Sequence, residues 1–222
     1  PGIATGDING DGLDDIVIGG AKDQPTAFYF QLNNGKFRNK TFSFSQEDSI
    51  YEDMDILLFD ADNDGDNDCY IVSGGNEFDI DSPYLADRFY INDGKGNLIK
   101  SSNSIPSNFS SGMRVSANDF DKDGDLDLLI SGIDKPIKLF RNDESAFSSI
   151  EVGLHEIFQA AVSWADVDND GDLDLFVTGV NNANGSASSA TTALFRNSNG
   201  LFTPVEHDIV DLYQGYSDWA DV

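Results

Sequence analysis

The sequence predicts an all-β protein made of at least four copies of one repeated unit, each unit folding as four short strands. An acidic motif of nine residues recurs four times, at intervals of about 50 residues. Each copy is followed by a short, mainly apolar run that closes on glycine, which is typical of buried strands. The long 3.6-residue periodicity that a helical repeat requires is lacking.

The acidic motif is the most regular feature of the chain. Its copies begin at Asp7, Asp60, Asp119 and Asp166 and read DINGDGLDD, DADNDGDND, DFDKDGDLD and DVDNDGDLD. A fifth copy starts at the end of the sequence, where residues 219–222 (WADV) repeat residues 164–167. The repeats therefore extend over the whole sequence.

Strands are predicted on both sides of every motif. A segment of apolar and small residues precedes each motif as the first strand, and the second strand is the run that follows it. The third strand ends in most units near an Asn or Gly turn that leads into a short fourth strand. The predicted second strands are 16–19, 70–74, 128–132 and 175–179, the third strands 28–30, 88–91, 138–141 and 193–196, and the fourth strands 36–37, 97–99 and 200–202.

Four strands in every unit of about 50 residues are typical of the blades of a β-propeller. A stacked parallel β-helix is the main alternative, but its repeat is far shorter. We expect one propeller segment over residues 1–222, with blades at about 1–50, 51–111, 112–158 and 159–213 and the next blade beginning at 214–222. Two irregular insertions, 76–87 and 181–192, lengthen the second and fourth units.

The acidic motif has the pattern of a calcium-binding loop. Side-chain oxygens stand at positions 1, 3, 5 and 9, glycine at position 6 permits a sharp turn, and position 7 can offer its main-chain carbonyl. Such an all-oxygen cage suits calcium best. The predicted metal ligands are Asp7, Asn9, Asp11, Leu13 and Asp15; Asp60, Asp62, Asp64, Asp66 and Asp68; Asp119, Asp121, Asp123, Asp125 and Asp127; and Asp166, Asp168, Asp170, Asp172 and Asp174.

An EF-hand shares the first half of this pattern, but it requires a glutamate at position 12. Position 12 is apolar in all four copies (Ile18, Ile71, Ile130 and Val177). A solvated acidic turn is the other alternative, yet turn chemistry does not require the acid that recurs at position 9. We therefore expect four bound Ca²⁺ ions, with the weakest site where Asn9 replaces an acid.

The charge of the chain narrows its possible partners. There are 40 acidic and 13 basic residues, a formal net charge of -27, and the four motifs hold nearly half of the acids. This balance argues against binding to nucleic acid or to an anionic membrane surface. The sequence contains no apolar run of about 18 residues, so we expect no insertion into a membrane. The single cysteine, Cys69, excludes an intrachain disulfide and is predicted to be buried.

The motifs and the strands that follow them resemble the FG-GAP/VCBS repeats found in the propellers of integrin α-chains and in many secreted bacterial proteins. The resemblance covers essentially the whole chain and implies a seven-bladed propeller with calcium between the first two strands of a blade. This chain would supply four blades and the edge of a fifth. The Phe-Gly and Gly-Ala-Pro signatures of integrin blades are missing, so the sequence is closer to the bacterial type and integrin ligand recognition is not implied.

The function expected from these features is that of a non-enzymatic, calcium-stabilised binding or scaffold module with a protein or glycan ligand. Extracellular modules bind calcium with Kd on the order of 10⁻⁴–10⁻³ M, which predicts an extracellular, cell-surface or periplasmic location. We expect the module to belong to a larger multidomain chain. The alternatives are an accessory or catalytic propeller of a secreted polysaccharide-acting enzyme, with carboxylates, His or Lys lining the central channel outside the calcium loops, or a propeller lectin.

Overall fold

The computed structural model describes residues 1–101, 111–133, 137–150, 157–181 and 189–212, which form four antiparallel sheets of four strands each. The strands follow one another in chain order within every sheet, and we call the sheets blades 1 to 4. Blade 1 contains β1 (Ile3–Gly6), β2 (Asp15–Ile18), β3 (Ala27–Gln31) and β4 (Phe37–Lys40); blade 2 contains β5 (Asp53–Phe59), β6 (Asp68–Ser73), β7 (Arg88–Ile91) and β8 (Ile99–Ser101); blade 3 contains β9 (Gly112–Asn118), β10 (Asp127–Gly132), β11 (Lys138–Asp143) and β12 (Ala146–Ile150); and blade 4 contains β13 (Phe158–Ala165), β14 (Asp174–Val180), β15 (Ala190–Ser198) and β16 (Leu201–Val205).

The predicted all-β class and the four strands in each unit are confirmed. The predicted start of a further blade, residues 214–222, lies outside the described residues. The structure differs from the prediction in detail: β8 begins two residues later than expected, and a single helical turn, α1 (Ser45–Asp48), precedes blade 2. No helix in the described part of the chain is long and apolar enough to cross a membrane.

Hydrophobic cores lie between the blades. One cluster joins Val17 and Phe28 of blade 1 to Ile71 and Tyr90 of blade 2. Equivalent clusters join blade 2 to blade 3 and blade 3 to blade 4. Because the interior blades have a neighbour on both sides, they bury both of their faces, which is the packing of propeller-like blades.

This packing explains why the second strand of each unit is a continuous apolar run rather than an alternating one. All six residues of β6 are buried. Cys69 and Ile71 belong to the cluster shared with blade 1, whereas Tyr70 and Val72 belong to the cluster shared with blade 3. Since successive side chains of a strand point to opposite faces, a strand between two neighbours needs apolar residues at every position.

The four acidic motifs lie at one end of the blades, because each joins the first strand of its blade to the second. The connections between the second and third strands of each blade, and those from one blade to the next, lie at the opposite end. The first strands form the inner edge: β1 contacts β5, and β5 contacts β9. The molecule therefore has an acidic end, an opposite end that carries the insertion 76–87, and an inner edge.

Candidate calcium-binding loops

The backbone of the four motifs is wound in the same way. Glycine at position 6 has a positive φ in every copy, from 82° in Gly12 to 100° in Gly124, and an added Cβ would have open space at both. The backbone conformation therefore requires glycine there, and crowding does not. Position 4 is left-handed as well, and in blade 3 it is occupied by Lys122 with φ 61°.

The acid at position 1 organises the turn. Asp7 accepts hydrogen bonds from the main-chain N–H groups of Gly10, Asp11 and Gly12 at 2.7 to 3.2 Å. In blade 4, Asp166 accepts from Asp170 and Gly171 at 3.1 and 2.9 Å. The acid at position 5 accepts from the N–H of position 7 in all four copies, including that of Leu13 in blade 1.

The acid at position 9 is buried in every blade and fastens the loop to the sheet. Asp15, Asp68, Asp127 and Asp174 are at most 2% exposed. One carboxylate oxygen of each accepts the N–H of position 2, and the other accepts an N–H of the third strand or the residue after it. The acid predicted as a ligand therefore also holds the loop in place, which explains why it recurs.

Carboxylate oxygens converge in three of the loops. The sets are Asp60, Asp62 and Asp64 in blade 2; Asp119, Asp121 and Asp127 in blade 3; and Asp166, Asp168 and Asp174 in blade 4, each with ligand atoms within 4.8 Å of one another. In blade 1, Asn9 stands at position 3, and its amide nitrogen lies 3.4 Å from Asp15 Oδ2 as a donor. The negative charge concentrated in the loops of blades 2, 3 and 4 favours binding of a cation.

Orphaned oxygens test whether these loops suit a metal ion. The Oδ1 atoms of Asp62, Asp119 and Asp121 are buried and have no hydrogen-bond partner. A buried carboxylate oxygen without a donor is costly unless a cation compensates it. The donor sets consist of oxygen alone, without His or Cys, so the residues fit calcium.

Position 7 plays a larger part than the sequence predicted. Asp125 accepts a hydrogen bond from the Asn63 amide of the preceding loop, and Asp172 forms an ion pair with Lys122 of the loop before it. Their second oxygens accept the N–H groups of Glu144 and Asn199 at 2.8 Å. The side chains thus connect neighbouring loops, while the main-chain carbonyl remains the group that position 7 can offer a metal.

Two arginines that sequence analysis did not assign to the site hold the acid at position 3. Arg141 Nε lies 2.9 Å from Asp121 Oδ2, and Arg196 Nε lies 2.7 Å from Asp168 Oδ2. Both arginines occur in the sequence Leu-Phe-Arg-Asn at the end of the third strand, and this recurrence is the signal that could have revealed them. They orient one ligand and reduce the negative charge of the loops in blades 3 and 4.

The asparagine that follows these arginines connects consecutive blades. Asn142 Nδ2 donates to the carbonyl of Ala61 in the preceding loop at 2.8 Å and to Leu126 in its own loop at 3.2 Å. Asn92 and Asn197 make the same pairs of bonds, reaching Ile8 and Phe120 of the preceding loops. We call this arrangement the asparagine clamp.

Several aspartates of the motifs have raised pKa values in the metal-free protein. Burial raises the pKa of Asp68 and of Asp127 to about 7, although main-chain donors oppose the shift. Burial, followed by repulsion from neighbouring aspartates, raises the pKa of Asp66 to about 6. These groups therefore retain protons near pH 6 in the folded chain, whereas in the unfolded chain they would be ionised.

The raised pKa values predict how the metal-free protein responds to pH. Between pH 5 and 7 the folded state binds more protons than the unfolded state, so the free energy of unfolding falls as the pH rises through this range. We expect the Tm in excess chelator to be higher at pH 5 than at pH 8. Melting curves across this range would test this, with a calcium-saturated series as the control, in which the decrease should be smaller or reversed. A metal-free Tm that rises with pH would contradict the prediction.

Comparison with known proteins identifies the family. The profile of the FG-GAP-like repeat matches residues 7–71, 60–130 and 119–177, which together cover most of the chain. The chain belongs to the FG-GAP-like repeat family. The predicted family is confirmed, and the matched FG-GAP segments start at three of the four acidic motifs and each extends into the second strand of the following blade.

Solved structures are similar to this chain at low sequence identity. A lectin from Agrocybe aegerita, described as recognising non-reducing terminal N-acetylglucosamine, is 16% identical with a TM-score of 0.56, and the match covers 91% of this chain and 50% of that one. A protein from Bifidobacterium bifidum s17 assigned as an exo-β-1,3-galactanase is 11% identical with a TM-score of 0.46, covering 87% and 62%. This FG-GAP chain thus spans about half the length of the lectin, and the likeness shows the fold alone. No curated protein matches the sequence.

Proposed function

We propose that this chain is a calcium-stabilised, non-enzymatic carbohydrate-binding module of an exported protein. The observation that carries the calcium part is the convergence of carboxylate oxygens in three loops, several of them buried without a donor. Membership of the FG-GAP-like family and the fold shared with a lectin support a binding module. Calcium would supply structural charge neutralisation, and the aspartates at positions 1, 3, 5 and 9 would hold it.

The insertion 76–87 is the proposed contact surface for the glycan. It places Phe78 and Tyr84 with ring centroids 5.1 Å apart, and Tyr84 lies 6.1 Å from Tyr51. Tyr84 is 39% exposed, and Lys22 Nζ lies 5.4 Å from the Phe78 ring. Aromatic faces beside polar groups at the end remote from the calcium loops are suited to stacking against sugar rings. Most of the other insertion, 182–188, lies outside the described residues.

The insertion is firmly attached to blade 2. Leu85 is buried, and Asp87 accepts hydrogen bonds from the Tyr70 hydroxyl and the Ser73 N–H, both at 2.9 Å. Deleting the whole segment would therefore damage the blade as well as the proposed surface. Point substitutions at exposed positions are the better test.

We expect Tyr84→Ala to weaken capture of the chain by immobilised polysaccharides at least about tenfold, because interface tyrosines contribute strongly to binding. Its Tm in saturating calcium should match that of the unmodified chain. The matched control is Phe37→Ala, which removes an aromatic side chain of similar exposure, 44%, from the outer strand of blade 1. Equal capture by both variants and the unmodified chain on a glycan array would contradict the proposed surface.

The alternative of a polysaccharide-acting enzyme requires two carboxyl groups placed for acid and base chemistry. At the inner edge the structure instead brings Asp55 together with Arg114. A carboxylate beside a guanidinium is suited to recognition, which supports a binding module.

A further inference from the structure

A cavity of about 170 Å³ lies at the inner edge of the sheets and is lined by residues of β5, β9, β10 and β13. Three blades therefore contribute to it. It is separate from the acidic motifs and from the aromatic insertion, and none of its lining residues is a predicted metal ligand. Its volume corresponds to roughly five or six water molecules, enough for one small ring but not for a chain of them.

A carboxylate from blade 2 reaches across to this cavity. The pairing of β5 with β6 shifts register between Asp53 and Asp55, and such a bulge redirects a side chain. Asp55 accepts the N–H of Ile56 at 3.0 Å and the N–H of Val115, on the neighbouring blade, at 3.1 Å. The carboxylate is thereby fixed on β9, with lone pairs left over for a ligand.

A buried hydroxyl without a partner also lines the cavity. Ser131 stands directly opposite Arg114 in the pairing of β10 with β9, so both side chains lie on the same face. Ser131 is 1% exposed, and its Oγ has no hydrogen-bond partner in the structure. The residue at the same repeat position in blade 2 is Val72, so the fold does not require a hydroxyl there. Thr178, at the same repeat position of blade 4, is also unpaired but does not line the cavity, so Ser131 is the one of the two that offers its hydroxyl to a ligand there.

The remaining residues that line the cavity are partly polar and partly aliphatic. Ser116 Oγ accepts the indole N–H of Trp164 at 3.2 Å, which fixes one polar wall, while Leu129 and Val162 provide an aliphatic one. A single carboxylate does not make the cage of six to eight oxygens that calcium takes. An anion would face Asp55 and a chain with a net charge of -27. Donors, acceptors and aliphatic carbon together match a neutral ring that carries hydroxyl groups.

We propose that this cavity binds one neutral monosaccharide residue, as a second carbohydrate site of the module; the proposal rests on the carbohydrate-binding function inferred above. Asp55 accepts hydrogen bonds from sugar hydroxyls, Ser131 and Arg114 donate to them, and Leu129 and Val162 contact the C–H face of the ring. The site is suited to a terminal residue or a free sugar.

Calorimetric titration of the calcium-loaded chain with free glucose, galactose, mannose and N-acetylglucosamine tests the proposal. We expect at least one of these sugars to bind saturably, and Ser131→Ala and Arg114→Met to weaken that binding by at least about tenfold. Thr178→Val is the matched control, because Thr178 is the equivalent residue of blade 4, also buried with an unpartnered hydroxyl, but does not line the cavity. It should bind the sugar as the unmodified chain does.

Saturable binding to none of the four sugars would overturn the proposal, as would binding unchanged in both Ser131→Ala and Arg114→Met. The two carbohydrate sites are distinguishable, because Tyr84→Ala should weaken polysaccharide capture at least about tenfold and leave the monosaccharide titration unchanged. If capture persists but no free sugar binds, the cavity proposal fails alone. If free sugar binds in the cavity while Tyr84→Ala has no effect on capture, the cavity proposal holds and the aromatic surface is wrong.

Discussion

Removal of calcium is expected to lower the free energy of unfolding by about 6–11 kcal/mol at pH 7.5. Four sites with Kd on the order of 10⁻⁴–10⁻³ M would each contribute about 1.4–2.7 kcal/mol at roughly 10 mM calcium. The physical reason is the crowding of carboxylates in each loop, where oxygens of Asp62, Asp119 and Asp121 are buried without donors. Calorimetric melting with calcium and then with excess chelator measures the change in Tm.

Magnesium at the same ionic strength is the control for this experiment, because it screens charge but prefers a smaller octahedral site. A magnesium sample should melt close to the chelated one. Identical Tm values in calcium and in chelator would show that the loops are acidic turns without a structural metal.

The second large effect is expected at the junction of blades 1 and 2, where Arg88 and Asp53 form an ion pair with both side chains 2% exposed. Asp53 also accepts the N–H of Gly20 and the hydroxyl of Thr26 at 2.7 and 2.6 Å, so it joins the two blades. Arg88→Met should lower the free energy of unfolding by about 3–5 kcal/mol, because it leaves a buried carboxylate without its cation.

Urea unfolding in saturating calcium measures this effect. The matched control is Lys22→Met, which removes the exposed pair between Lys22 and Glu77, 3.9 Å apart with both side chains more than a third exposed. That change should be below about 1 kcal/mol, as is usual for surface pairs. If Arg88→Met costs no more than Lys22→Met, the buried ion pair does not stabilise the junction that Asp53 forms between the blades.

The sequence predicted those features that depend on residues close together in the chain. The acidic motif carries its own turn chemistry, since the acids at positions 1 and 5 bond to main-chain groups only a few residues away. The second strands were evident because burial on both faces leaves an unbroken apolar run such as that of β6. The four-stranded unit followed from the spacing of these two signals.

Features that depend on how blades meet were not predicted. Asn142 was given no role by the sequence, and its bond to Ala61 exists only because blade 3 packs against blade 2. The pairing of Lys122 with Asp172 has the same origin. A position that repeats for reasons of packing has no local partner in the sequence, so its role becomes visible only with the neighbouring blade in place.

The asparagine clamp makes each loop depend on a residue that is synthesised later. The carbonyls of Ile8, Ala61 and Phe120 accept their amide donors from asparagines 84, 81 and 77 residues further along. At a synthesis rate of about 5–20 residues per second, each of these acidic loops would leave the ribosome roughly 4 to 17 seconds before the asparagine that completes its bonding. Each of these three loops therefore lacks one hydrogen bond until the following blade has been synthesised and has packed against it.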